Sequence, residues 1–139
     1  MKKKIIGILD YGMGNILSVL RAIEKIGCNV NIIQENKNID FDFIILPGVG
    51  SFDVAMGNIK KKGLEEVIYK HVERGRPLLG ICLGMQLLFE FGTEGACTTN
   101  GLGLVSGHIE KIYNNNKIKT SKFRLPNIGW RELVSKKNY

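Results

Sequence analysis

The hydrophobic pattern changes period repeatedly along the chain, and each change predicts a switch between strand and helix. "KIIGILDY" (4–11) is a short continuous apolar run, as expected of a strand buried on both faces. "NILSVLRAIEKIG" (15–27) follows with Ile16, Val19, Leu20 and Ile23 at helical spacing, and Gly27 is placed to end that helix. "NVNIIQE" (29–35) and "FDFIILPG" (41–48) read as the second and third strands. "SFDVAMGNIKKKGLEEVIYKHVERG" (51–75) reads as one or two helices, with Leu64, Val67, Ile68 and Val72 on one face and Gly75 at the end. "PLLGI" (77–81) predicts a fourth strand and "LGMQLLFEFG" (83–92) a further helix. Strand and helix alternating in this way predict an α/β fold: an open, mostly parallel sheet flanked by helices.

After Gly92 the pattern changes. "TEGACTTNGLG" (93–103) is rich in turn residues, and "LVSGHIEKIYNNNKIK" (104–119) alternates as antiparallel hairpin strands around an Asn turn would, from about residue 100. "KFRLPNIGWRELV" (122–134) reads as a further extended segment. No repeat, low-complexity tract or linker divides the 139 residues, so residues 1–139 are expected to form one domain.

Charge narrows the function classes. The formal net charge is +7, which invites a nucleic-acid partner. The lysines are nevertheless scattered: Lys2 to Lys4, Lys60 to Lys62, Lys117 to Lys122, Lys136 and Lys137. None falls in an aromatic-interleaved stripe or a recognisable binding motif, so no nucleic-acid partner is expected. Three cysteines without metal-type or disulfide-like spacing fit a reducing cytoplasm. "MKKKIIGILD" begins like a signal peptide, but its apolar run stops at Asp10, and no stretch is long enough to span a membrane.

The chemistry is expected at Cys82. In an open parallel sheet, sites form at the carboxyl ends of strands, and Cys82 stands between "PLLGI" and the next helical pattern. Gly80-x-Cys82-x-Gly84 is the cysteine form of the nucleophile elbow, a turn so sharp that side chains two residues either side would collide. The following helix would aim its N–H groups and positive dipole end at the sulfur, an environment in which thiols become nucleophiles. The competing reading is an ordinary buried cysteine in a glycine-rich turn. A second loop, "LPGVGSF" (46–52), ends the preceding strand with Gly48 and Gly50 and could turn its N–H groups toward a developing oxyanion. Its plainer reading is a strand-to-helix turn capped by Ser51.

"PGVGSF" together with "GICLGMQLLFE" resembles the class I (triad-type) glutamine amidotransferase domain, a flavodoxin-like fold. "DYGMGN" (10–15), Glu94 in "FGTEG" and the late "PNIGW" (126–130) are similar, within that family, to glutaminase subunits of imidazole glycerol phosphate synthases, enzymes of histidine biosynthesis. The resemblance runs in order from Ile5 to Trp130. It implies that Cys82 attacks the side-chain amide of glutamine, forms a thioester and releases ammonia. It further implies an oxyanion hole at the Gly50 region and the N–H of Leu83, glutamine contacts at Gln86 and Glu94, and a partner face near Asn15 and Trp130. The implied partner is a cyclase (β/α)8 barrel, as a heterodimer. No cofactor and no metal are implied.

Two departures qualify the resemblance. The family's base and its orienting carboxylate form a His-x-Glu well downstream, whereas this chain has only two histidines, both earlier. His71 falls on an apolar helix stripe and is expected to pack; His108 is expected to face solvent, with Glu110 giving it a superficial His-x-Glu. The domain is therefore expected to be an N-terminal portion, incomplete at the C-terminus, inactive alone, and to leave a sheet edge uncovered. Cys82 is still expected to be alkylated faster than Cys28 or Cys97. Second, Pro126-Asn127-Ile128-Gly129-Trp130 stands where the family reads Pro-His-Met-Gly-Trp, which leaves the partner open. The alternatives are a paralogue supplying ammonia to a sugar amidotransferase of surface polysaccharide synthesis, and a binding module that keeps the fold without the chemistry.

Overall fold

The four apolar runs pair as one parallel sheet. In the computed structural model, residues 4–36, 40–95, 97–111, 129–130 and 132 are described. Strand β1 (Ile5–Leu9) lies between β2 (Asn29–Ile33) and β3 (Phe43–Gly48), and β4 (Leu78–Cys82) extends the sheet beyond β3 in the order β2-β1-β3-β4. All three pairings are parallel, with Ile8 opposite both Ile32 and Ile45 and with Ile44 through Gly48 opposite Leu78 through Cys82. Helix α1 (Ile16–Lys25) connects β1 to β2, while α2 (Phe52–Lys61) and α3 (Leu64–Glu73) connect β3 to β4. Connections of this length are what parallel neighbours require.

Each sheet face has its own cover. Leu9, Ile44 and Leu46 pack with Phe52, Ala55, Met56 and Ile59 of α2 and with Leu64, Val67 and Ile68 of α3, forming the core. Alternation places Ile8 and Ile45 on the opposite face, and both are buried although α1 has no buried residue of its own. Leu79 and Ile81 of β4 share that face by register but remain 46% and 39% exposed, and β4 is an edge of the sheet among the described strands. At the bottom of the sheet, Arg76 grips Asp40 through both carboxylate oxygens (2.6 and 2.7 Å) and also donates to the Phe41 carbonyl. This guanidinium holds the Asp40 carboxyl below the usual carboxylate range.

The segment after Cys82 departs from expectation. Helix α4 is a single turn, Leu83–Gln86, and residues Phe89–Gly92 form strand β5 instead of continuing it. The reason is tertiary. The carbonyls of Leu87, Leu88, Phe89 and Glu90 accept N–H groups from Leu102, Leu104, Val105, Gly103 and Gly101 at 2.8–3.0 Å, so this stretch pairs with a later segment instead of with its own next turn. A second sheet results, ordered β6-β5-β7, with β6 (Thr99–Asn100) antiparallel to β5. Strand β7 (Val105–Ile109), the first arm of the expected hairpin, runs parallel to β5, with a register shift between Phe89 and Phe91. The Asn turn of that hairpin and all but Gly129, Trp130 and Glu132 of the extended segment 122–134 lie outside the described residues.

Candidate active site at the strand ends

Cys82 ends β4 with φ 55° and ψ −117°, and it is the one non-glycine at positive φ among the described residues. A side chain is held in such a conformation only when its surroundings force it, at about 1–3 kcal/mol. The forcing comes from close backbone approach on both sides. A Cβ at Gly80 would stand 2.5 Å from Cα and 2.6 Å from N of Met85, across the turn. A Cβ at Gly84 would overlap the carbonyl oxygen of Leu46, on β3. The first glycine is thus needed by the elbow itself, as expected. The second is needed by the neighbouring strand, which the motif does not reveal. Cys82 is exposed, Leu83 and Gly84 behind it are buried, and Gln86 is half-buried.

The second glycine loop meets the elbow. Gly48 is the register partner of Cys82, so their backbones lie about 4.8 Å apart, the spacing of adjacent strands. A Cβ at Gly48 would stand 2.9 Å from the Gly84 nitrogen and 3.0 Å from Leu83 Cβ. Gly50, two residues on, has φ 113° and leads into α2. Ser51 occupies the N-cap position, but its hydroxyl makes no cap hydrogen bond, contrary to the plain capping reading. Glu94 is exposed, past the end of β5; its neighbours Gly92 and Gly95 lie against Phe52 and Asp53, in the first turn of α2. The oxyanion-type loop, the elbow and the Glu94 segment therefore gather at one end of the fold.

The two histidines have other partners. His71 is buried on α3 and donates through Nε2 to the carbonyl of Pro77 at 2.9 Å. Pro77 precedes β4, so this contact sits at the opposite end of the strand from Cys82, about 16 Å away along an extended chain. His108 is exposed on β7, stacked on Phe91 with ring centroids 5.0 Å apart and its Nε2 3.9 Å from Glu110. Asn15 is the N-cap of α1, accepting from the Ser18 N–H at 3.3 Å, and Trp130 is fully exposed.

One residue at the site carries no recognised motif role. Tyr11, 1% exposed, donates its hydroxyl to the Pro47 carbonyl at 2.8 Å, at the root of the Gly48–Gly50 loop. Burial, with a contribution from negative charge at Cys82, pushes its hydroxyl up to about 12. Next to it, Asp10 accepts from Gln34 Nε2 (2.9 Å) and the Gly12 N–H (3.0 Å), which hold its carboxyl below the usual range against some desolvation, while Lys62 Nζ caps its carbonyl at 2.9 Å. A polar aromatic directly after a buried strand was the available signal for Tyr11; its partner, 36 residues away, was not.

The family model of the class-I glutamine amidotransferases matches residues 7–137. Imidazole glycerol phosphate synthase subunit HisH of Caldanaerobacter subterraneus subsp. tengcongensis is 44% identical over 135 residues, covering 96% of this chain and 63% of that protein. The HisH subunit of Bacillus subtilis is 43% identical over 130 residues, covering 93% and 60%. The chain thus spans about three fifths of the length of the curated relatives it matches. Among solved structures, PurLQS from Thermotoga maritima superposes with a TM-score of 0.54 at 25% identity, covering 63% of this chain and 43% of that one. A structure described as a glutamine amidotransferase gives 0.56 at 22% identity, over 64% and 47%, and shows the fold alone. No helix among the described residues is long and apolar enough to cross a membrane.

Proposed function

The chain belongs to the class-I glutamine amidotransferase family, and from that premise we propose that it is the glutaminase part of an imidazole glycerol phosphate synthase. The observation that carries this reading is Cys82 at positive φ, directly across from Gly48. The thiol on this turn is exposed, at the end of a strand paired with the start of the second glycine loop. The identities to HisH subunits, above 40% over more than nine tenths of the chain, support the narrower assignment.

The chemistry follows from the placement. The Cys82 thiolate adds to the side-chain carboxamide carbon of glutamine, and the carbonyl oxygen becomes an oxyanion. N–H groups of the Gly50 region and of Leu83 stabilise it. Collapse breaks the C–N bond, the nitrogen takes a proton and leaves as ammonia, and a thioester remains. Water then attacks the thioester, giving glutamate and the free thiol. Gln86 contacts the bound glutamine and Glu94 receives its ammonium group. His71 is engaged with the Pro77 carbonyl and His108 is stacked on Phe91, and the base is assigned to the His-x-Glu that the family carries downstream. Ammonia passes to a cyclase (β/α)8 barrel docked over Asn15 and Trp130, in the cytoplasm.

The test is ammonia release from glutamine by the full-length protein, alone and with the cyclase barrel. Release that rises with the barrel and disappears in Cys82→Ala supports the reading. Release by Cys82→Ala equal to wild type removes it. The Pro126–Trp130 departure favours one other partner, a sugar amidotransferase; stimulation by that protein and not by the barrel would select it.

A further inference from the structure

The buried tyrosine beside the elbow has a role that the glutaminase reading does not use, and the inference below rests on that reading. We propose that Tyr11 is a positioning residue for the oxyanion loop: its hydroxyl pins the peptide between Pro47 and Gly48, and so sets the direction in which the loop's N–H groups face Cys82.

The argument starts from what holds this peptide. Pro47 is buried, and its carbonyl and the Gly48 N–H are the two polar groups of the Pro47–Gly48 peptide plane, so a donor on that carbonyl fixes one side of the plane. The Tyr11 hydroxyl donates to that carbonyl at 2.8 Å, and it lies so close to Gly48 Cα that any side chain there would displace it. Beyond Gly48 the loop comes to the surface: Val49 and Gly50 are exposed, and Gly50 stands at φ 113° with the Met13 methyl close beside it. A rotation of the first peptide plane would therefore be passed on to the N–H groups of the following residues. Gly48 is the register partner of Cys82, so the pinned plane lies opposite the attacking sulfur. Burial keeps the hydroxyl protonated up to about pH 12, so it remains a donor throughout the working range and does not act as a base. A residue that only filled space here would not need its oxygen; Tyr11 spends its one donor on this carbonyl.

A positioning role separates two reactions of the same thiol. Glutamine hydrolysis passes through an oxyanion, whereas alkylation of Cys82 by iodoacetamide attacks a saturated carbon and does not. The experiment compares wild type with Tyr11→Phe in the full-length protein, with the partner present. It measures kcat and KM for glutamine and the rate of Cys82 alkylation, with kcat normalised to the titre of alkylatable Cys82. Expected are a fall in kcat of about tenfold, a KM within about twofold, and an unchanged alkylation rate. An unchanged kcat overturns the proposal, and so does a fall in alkylation matching the fall in kcat. If Tyr11→Phe alone does not fold, the same comparison is made in a Gly57→Ala background, which stabilises α2 away from the site. A wild type that does not hydrolyse glutamine overturns the glutaminase reading and this inference together. A wild type that does, matched by Tyr11→Phe, overturns this inference alone.

Discussion

Gly48 and Cys82 face each other across β3 and β4, and the glycine has no room for a side chain because the elbow and the Tyr11 hydroxyl already fill the space. The strand end that presents the thiol and the strand end that starts the oxyanion-type loop are therefore one packed unit. Changes at either should be felt at both.

Gly84→Ala would press a methyl group into the Leu46 carbonyl, a backbone atom in the middle of the sheet that cannot swing aside. It should cost about 1–3 kcal/mol. Gly57→Ala, on an open helical position of α2 with nothing within 4 Å, should stabilise by about 0.5–1 kcal/mol. Urea denaturation of the two variants beside wild type reads the contrast; equal effects would remove the close-approach account of Gly84.

Cys82 stores strain that a glycine would release. Cys82→Gly should be more stable than Cys82→Ala by about 1 kcal/mol, the relief of positive φ outweighing the added freedom of the unfolded chain. Neither variant should hydrolyse glutamine. In wild type, iodoacetamide should label Cys82 ahead of Cys97, which is also exposed, and ahead of the half-buried Cys28. Peptide mapping of a labelling time course checks the order, and equal rates would remove the activated-thiol account.

Tyr11 ties stability to alkaline pH. Its folded-state value is raised from 10 to about 12, so the protonated form is favoured by folding. That contribution is fully present below pH 10 and is lost as pH rises toward 12, because the unfolded tyrosine ionises first. Urea midpoints between pH 9 and 12 should fall more steeply for wild type than for Tyr11→Phe, a residual slope remaining from Tyr69, whose hydroxyl is also raised by burial. At neutral pH, Tyr11→Phe should cost about 1–3 kcal/mol, since the buried Pro47 carbonyl loses its tyrosine donor.

The two histidines should separate stability from activity. His71→Ala removes a buried donor from the Pro77 carbonyl and should lower the melting temperature. His108→Ala should leave glutamine hydrolysis at the wild-type rate, its ring lying on Phe91 in the second sheet. A large loss of kcat in His108→Ala, with an unchanged melting curve, would instead make His108 and Glu110 a catalytic pair.

The parallel sheet and the elbow were legible in the chain because their signals are local. Apolar runs of strand length, helical stripes between them, and Gly80-x-Cys82-x-Gly84 are set by a few consecutive residues. The same locality misled at "LGMQLLFEFG", where the helical pattern was real but residues 101–105 took the carbonyls of residues 87–90. It gave no warning that β7 would run parallel to β5, since the pairing depends on how the chain between them folds back. The sequence by itself determined where a thiol could stand on a sharp turn, because backbone sterics over five residues decide that. The tertiary structure alone decided that Gly84 is a glycine for the sake of Leu46, that His71 serves Pro77, and that Tyr11 serves Pro47. Such contacts join residues on different elements, and a hydrogen bond across 36 positions leaves no period in the sequence to read.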